Sequence, residues 1–81
     1  MAQLENLLLV LVRSLVDEPE KVEVSGTESD SRVELELRVA PDDMGRVIGK
    51  GGKVANSIRT LLRVAAEREG KQATLDVVEP E

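Results

Sequence analysis

Residues 44–59 have the sequence MGRVIGKGGKVANSIR, and this stretch decides the fold. Gly49 to Gly52 form a G-x-x-G tetrapeptide, with apolar residues at helical spacing on both sides, which predicts a helix, a tight turn and a second helix. Glycine has no Cβ, so the backbone of this turn can come close to a ligand. The free N–H groups and positive dipole end of the second helix favour an anion such as phosphate. Since Lys50 lies inside the turn, the segment predicts contact with a nucleic-acid backbone.

Two other phosphate-binding motifs do not fit this stretch. A Walker A loop has the pattern G-x-x-x-x-G-K-[ST], but only three residues separate Gly45 from Gly49. A dinucleotide fingerprint, G-x-G-x-x-G, can begin at Gly49, but Val54 occupies its last glycine position and a helix precedes it instead of a strand. The remaining alternative is a purely structural turn between two helices, built from left-handed glycines.

Hydrophobic periodicity along the chain predicts the element order α-β-β-α-α-β, an α+β fold in a single domain over residues 1–81. The expected elements are a helix over residues 3–16, a short strand at 22–24, a polar loop over 25–31, a strand over 33–39, a short helix from 41, the glycine turn at 49–52, a helix over 53–69 and a strand over 73–78. The core stripe of the long helix is predicted to be Val54, Ile58, Leu61, Leu62 and Ala65.

Composition argues against catalysis. The chain has no Cys and no His, so it lacks a thiolate nucleophile, a cysteine zinc site and the commonest general base. Asp42 and Asp43 are adjacent carboxylates at a predicted helix start, where they suit the helix dipole. The glutamates at 34 and 36 alternate with apolar residues, as on a solvated sheet face. We therefore expect no enzyme, no cofactor, no metal site and no small-molecule substrate.

The charge is unevenly distributed along the chain. The net charge is −5, which by itself argues against nucleic-acid binding. Residues 1–45 contain four Lys/Arg and eleven Asp/Glu, a net charge of −7, whereas residues 46–81 contain seven and five, a net charge of +2. Every charged residue from Arg46 to Arg63 is positive. A local basic surface on an acidic body can bind phosphate while the rest of the surface discourages indiscriminate binding.

Residues 47–55, VIGKGGKVA, resemble the V-I-G-x-x-G-x-x-I signature of KH domains, with Ala55 in the place of the final Ile. The element order resembles the type II, bacterial form of this fold over essentially the whole chain. The resemblance implies a three-stranded mixed sheet with the helices packed on one face. It also implies a function, because the GxxG loop of KH domains clamps the backbone of about four single-stranded nucleotides.

The resemblance assigns roles to particular residues. It implies that Gly49 and Gly52 frame the loop, that Lys50 pairs with phosphate, and that Gly51 gives room without supplying a contact. It also implies an aliphatic floor for the bases, which comprises Ile48, Ala55 and Ile58. Four neighbouring cations are further candidates from the sequence itself. Lys53 starts the second helix, where it could reach phosphate directly, and Arg46 precedes the loop. Arg59 and Arg63 either extend a basic track or belong to a solvated helix face.

Single-stranded RNA is the expected partner, and single-stranded DNA remains an alternative because no residue pattern identifies a reader of the 2′-OH. The resemblance also implies a homodimer or pairing with a second, larger KH protein of the Jag type. Leu9, Val10 and Val64 fall off the expected core stripes, so a protein-interaction subunit is a further hypothesis. No signal-peptide pattern precedes residue 16, and the apolar run over 7–12 is too short to span a bilayer, which favours a cytoplasmic protein without a membrane segment.

Overall fold

The computed structural model describes residues 2–78, so residue 1 and residues 79–81 of the predicted domain lie outside the described residues. The helices and strands are α1 (Ala2–Arg13), β1 (Glu23–Glu28), β2 (Arg32–Arg38), α2 (Met44–Ile48), α3 (Lys53–Glu67) and β3 (Gln72–Val77). Short 3-10 turns at Pro19–Lys21 and Pro41–Asp43 lead into β1 and α2. The predicted order α-β-β-α-α-β is confirmed.

The three strands form one mixed sheet in the order β1-β2-β3. β1 is antiparallel to β2, with Glu23 opposite Arg38, and β3 is parallel to β2, with Leu35 opposite Leu75. Along β2 every second residue is buried and the residues between are exposed, as expected for a strand with one covered face. The mixed sheet with helices on one face is therefore confirmed.

An aliphatic core lies between the sheet and the helices. Leu4, Leu8 and Val12 of α1 are buried one turn apart, and they join the buried residues of β2 and α3 in a single cluster. The buried positions of α3 are Ala55, Ile58, Leu62 and Ala66. Within residues 2–78, no helix combines the length and the apolarity that a membrane span requires.

Three sequence predictions need correction. α1 ends at Arg13, three residues early, because a tight turn follows in which the Leu15 N–H donates to the carbonyl of Val12 (2.9 Å). The predicted loop over 25–31 is wrong for residues 25–28, which extend β1, because pairing with β2 gives hydrogen-bond partners to the backbone groups on the inner side of this edge strand despite its polar side chains. Leu61 is half exposed, since the buried stripe of α3 lies on the side of Ala55 and Ala66.

Leu61 and Leu62 provide a matched pair for testing the core. Leu62 is 1% exposed and Leu61 is 51% exposed. We expect Leu62→Ala to lower the free energy of unfolding by about 2–5 kcal/mol, because it removes buried methyl groups and leaves a cavity. Leu61→Ala should change it by less than about 0.5 kcal/mol. Urea unfolding followed by circular dichroism measures both, and equal losses would contradict the assignment of the core.

Candidate nucleic-acid interface

The GxxG tetrapeptide joins α2 to α3 through glycines with positive φ. Gly49 has φ 75° and ψ 174°, a region essentially restricted to glycine. Gly51 (φ 65°, ψ 21°) and Gly52 (φ 78°, ψ 11°) are both left-handed. The Gly49 N–H donates to the carbonyl of Gly45 (2.9 Å) and so closes α2, and the Gly52 N–H donates to the carbonyl of Gly49 (3.2 Å). The chain therefore reverses within four residues, as the sequence predicts.

Gly49 and Gly51 of the loop are constrained differently. A Cβ on Gly49 would overlap the side chain of Val54 and lie 2.9 Å from its backbone nitrogen. A Cβ on Gly51 would meet nothing within 4 Å, so the space above this residue is open. Gly49 is thus required by packing and conformation together, whereas Gly51 leaves an exposed stretch of backbone that another molecule can approach.

Two lysines flank this open backbone without acidic partners. Lys50 and Lys53 are both exposed, and within residues 2–78 neither forms an ion pair. Lys53 is the first residue of α3, and no side chain caps that helix N-terminus. Positive side chains and the positive end of the helix dipole therefore coincide at one exposed place, an arrangement that suits an anion.

The short helix α2 presents two different faces. Val47 is fully buried and anchors the helix in the core, while Ile48 is half buried. Gly45 lies one turn before Ile48, on the same face, and a Cβ there would meet nothing within 4 Å. Its φ is not positive, so neither backbone conformation nor packing explains a glycine at this helical position. The surface beside the loop is consequently flat and open.

The predicted aliphatic floor is only partly at the surface. Ala55 and Ile58 are almost fully buried in the core. They support the surface beside the loop from below, and Ile48 is the member of this set that retains exposed area.

Arg59 connects α3 to the free edge of β3. Its Nε donates to the carbonyl of Leu75 (3.2 Å), and its Nη1 donates to Oδ1 of Asn56 (3.1 Å). The N–H groups of Gln72 and Val78 bond towards β2, so the alternate position Leu75 directs its backbone groups to the open side. Beyond Arg59 a cleft of about 280 Å³ continues between α3 and β3, lined by Arg63, Glu67, Gln72, Ala73 and Thr74.

Arg46 differs from the two lysines in having acidic partners. Its Nη2 is 3.0 Å from Oδ2 of Asp17, and its Nε is 3.7 Å from Oδ1 of Asp43. At 3.6 residues per turn it points roughly 160° away from Ile48. Arg46 is therefore held by two acidic side chains, whereas Arg59 bonds to the edge of β3 and Lys50 and Lys53 form no ion pair within residues 2–78.

Gly45 and Asp43 were not among the site residues predicted from the sequence. Gly45 carried a signal, since a glycine within a helical segment is unfavourable relative to alanine by about 1 kcal/mol and so calls for an explanation. Asp43 carried none: it is 1% exposed, and its partners, the backbone N–H groups of Asp17 and Glu18, lie more than twenty residues away in sequence. It is therefore more than a partner of the helix dipole.

A helix–GxxG–helix unit on a three-stranded mixed sheet, in the order α-β-β-α-α-β, defines the class of the protein as a KH domain. The family model described as "KhpA/KhpB, KH domain" matches residues 5–77, and the chain belongs to this family. It is a family of KH domains and not of enzymes, as the sequence predicts.

Similar proteins from several bacteria carry the name "RNA-binding protein KhpA". The chain is 43% identical to the one from Clostridium acetobutylicum, over 93% of this chain and 100% of the relative. It is 41% identical to the one from Listeria monocytogenes, over 94% and 100%. For the one from Aquifex aeolicus the identity is 37%, over 98% and 100%. The resemblance therefore spans nearly the whole chain in each case.

The loop conformation predicts unequal effects of alanine at two glycines. We expect Gly49→Ala to lower the free energy of unfolding by more than about 3 kcal/mol, because an overlap with Val54 adds to the backbone strain. Gly51→Ala should cost only about 1–2 kcal/mol, because its left-handed φ is unfavourable but the space is open. Urea unfolding midpoints compare the two variants. A larger loss for Gly51→Ala would show that the loop has a different conformation.

Proposed function

We propose that this chain binds single-stranded RNA, with the GKGG loop clamping the sugar-phosphate backbone. The observation that carries the proposal is the open loop itself: exposed backbone at Gly51 beside Lys50 and Lys53, which have no acidic partners within residues 2–78. Phosphate is the anion that this combination of backbone N–H groups, dipole and lysines suits. The names of the similar bacterial proteins support RNA as the ligand.

The surface beside the loop gives the strand a path. Bases would lie over Gly45 and Ile48, where the backbone is bare and the side chain is aliphatic. Arg59 would border this path on the side of β3, and Arg63 would lie beyond it in the cleft along β3. The carbonyl of Leu75 already accepts from Arg59, and its second lone pair would be the acceptor for an exocyclic amino group of a base.

Binding by one domain should be weak and have little sequence selectivity. The chain has no aromatic residue, so the roughly 1–3 kcal/mol per base that aromatic stacking supplies is missing. Lys50 is also the only charge in the interior of the loop, because Gly51 occupies the other variable position. Single-stranded DNA is the natural competitor in a binding experiment, since the difference in affinity measures any contact to the 2′-OH.

Reversing the charge of the loop tests the clamp. We expect Lys50→Asp with Gly51→Asp to abolish detectable binding to single-stranded RNA, because two carboxylates would face the phosphates. Aspartate tolerates the left-handed conformation of position 51, so the variant should remain folded. Fluorescence anisotropy with a labelled single-stranded RNA of mixed sequence measures the affinity, and circular dichroism checks the fold.

The matched control is Lys50→Asn with Gly51→Asn, which has nearly the same size and backbone preference but adds no negative charge. It should retain weak binding with a smaller salt dependence, because one phosphate contact is lost. A folded aspartate variant that binds as well as the wild type would falsify the clamp.

A second proposal is self-association, or pairing with a KhpB-type KH protein, through the helical layer. Leu61 and Val64 are both half exposed and lie one turn apart on α3, and Val10 on α1 is more exposed still. Leu7, one turn before Val10, and Ala65, next to Val64, line a cleft where α1 meets α3. The exposed apolar residues therefore flank one helix contact, and joining two weak RNA sites would raise avidity without new contacts.

Sedimentation equilibrium tests self-association. We expect the wild type to dimerise at high micromolar concentration and Leu61→Glu to stay monomeric, because a carboxylate would be buried in the interface. Ser31→Glu, in the exposed turn after β1, is the control for the added charge and should dimerise normally. A wild type that remains strictly monomeric across this range would contradict the homodimer, and titration with a KhpB-type KH domain would then examine the other pairing.

A further inference from the structure

Asp43 is the one charged or polar residue of the described chain whose side chain is buried. Its Oδ1 accepts the backbone N–H of Asp17, and its Oδ2 accepts that of Glu18, each at 3.1 Å. A buried carboxylate is costly unless it is hydrogen-bonded and paired, and here both oxygens have partners. The segment that follows α1 is thereby fastened to the residue that precedes α2.

Arg46 completes this cluster. Its guanidinium reaches Oδ1 of Asp43 with Nε and Oδ2 of Asp17 with Nη2, so one cation lies against two carboxylates. Asp43 and Arg46 are three residues apart, one at the start of α2 and one inside it. We refer to Asp43, Arg46 and Asp17 as the brace.

The brace matters for the loop because α2 has only five residues. A helix of this length is unstable by itself, so its direction depends on tertiary contacts. Val47 and the partly buried Met44 hold it against the core, and the brace holds its N-terminal end. Gly49 follows immediately after the helix, so the position of the GKGG loop depends on these apolar contacts and on the brace together.

We propose that Asp43 and Arg46 are positioning residues for the GKGG loop, and that Arg46 acts through Asp43 and Asp17 without binding phosphate. This rests on the proposed function, since it concerns the same loop. It revises the expectation for Arg46, which was a candidate RNA-binding residue in the sequence. The guanidinium is occupied by two carboxylates and lies on the side of α2 away from Ile48 and Gly45.

The direction in which a substitution of Asp43 changes RNA affinity distinguishes an electrostatic role from a positioning role. Removing a negative charge near a phosphate-binding loop should strengthen RNA binding if only electrostatics matters. Asp42→Asn does this next to the brace, at an exposed position, and should leave affinity unchanged or slightly higher. Asp43→Asn removes the same charge but replaces one of the two accepting oxygens with an amide NH2, which then faces the backbone N–H of residue 17 or of residue 18. We expect it to weaken binding of the labelled RNA by about 2- to 30-fold, the range for a residue acting through a packed network.

Salt dependence separates a phosphate contact from a positioning role at Arg46. Loss of one phosphate contact reduces the slope of log K against log salt by about 0.7 for a single strand. We expect Lys50→Gln to reduce the slope by this amount, and Arg46→Gln to weaken binding with the slope unchanged. Arg38→Gln is the control, because Arg38 is similarly exposed and pairs with Glu36 on the open sheet face. It should change neither quantity.

Amide hydrogen exchange in the free protein tests the brace without RNA. We expect Asp43→Asn to speed exchange at Asp17 and Glu18 and also at Gly49 and Gly52, whose N–H groups bond within the loop. A purely local role would change only the first two. The exchange experiment tests the positioning role of Asp43 even if the wild type does not bind RNA. A failure of the positioning proposal can therefore be distinguished from a failure of the RNA-binding proposal.

The proposal is overturned if Asp43→Asn binds RNA as tightly as Asp42→Asn, if Arg46→Gln reduces the salt slope as Lys50→Gln does, or if exchange at Gly49 and Gly52 is unaltered. Should Asp43→Asn fail to fold, Arg46→Gln decides between the roles, because its guanidinium is half exposed and its removal leaves no buried charge without hydrogen bonds.

Discussion

The reversal of the backbone at Gly49, Gly51 and Gly52 is the constraint on which the rest of the structure depends. Because Gly49 adopts a conformation that other residues avoid, α2 can stop after five residues and α3 can begin after only four intervening residues. α2 then places Val47 in the core, and α3 lays its buried stripe across the sheet. The same reversal exposes bare backbone at the N-terminus of α3, so packing and anion binding share one origin.

The cations of this small acidic protein differ in their bonding partners, and this difference matters more for ligand binding than the net charge does. Lys50 and Lys53 form no ion pair within residues 2–78, whereas Arg46 is held by two carboxylates and Arg59 by a strand carbonyl. Cations that are close in sequence thus differ in what they can offer a ligand. The net charge of −5 does not conflict with a phosphate site, because the acidic residues of β2 lie on the open sheet face, away from the helices.

The element order, the sheet and the loop were predictable because each has a local signal: alternation in β2, helical spacing in α3 and glycines between two helices. What the sequence could not supply were contacts between distant segments. The extension of β1 through polar residues depends on pairing with β2, and the burial of Asp43 depends on N–H groups at Asp17 and Glu18. The half-exposed state of Leu61 reflects a rotation of α3 that only packing decides.

A chemical-shift titration of the labelled protein with single-stranded RNA tests the central claim most directly, because it locates the ligand residue by residue. The account predicts the largest shifts at the amides of Gly45, Gly49 to Lys53 and Arg59, with a further set along β3 near Leu75. It predicts small shifts on the open sheet face, at Glu34 and Glu36. Shifts concentrated on that face or on α1, with the loop unchanged, would contradict it.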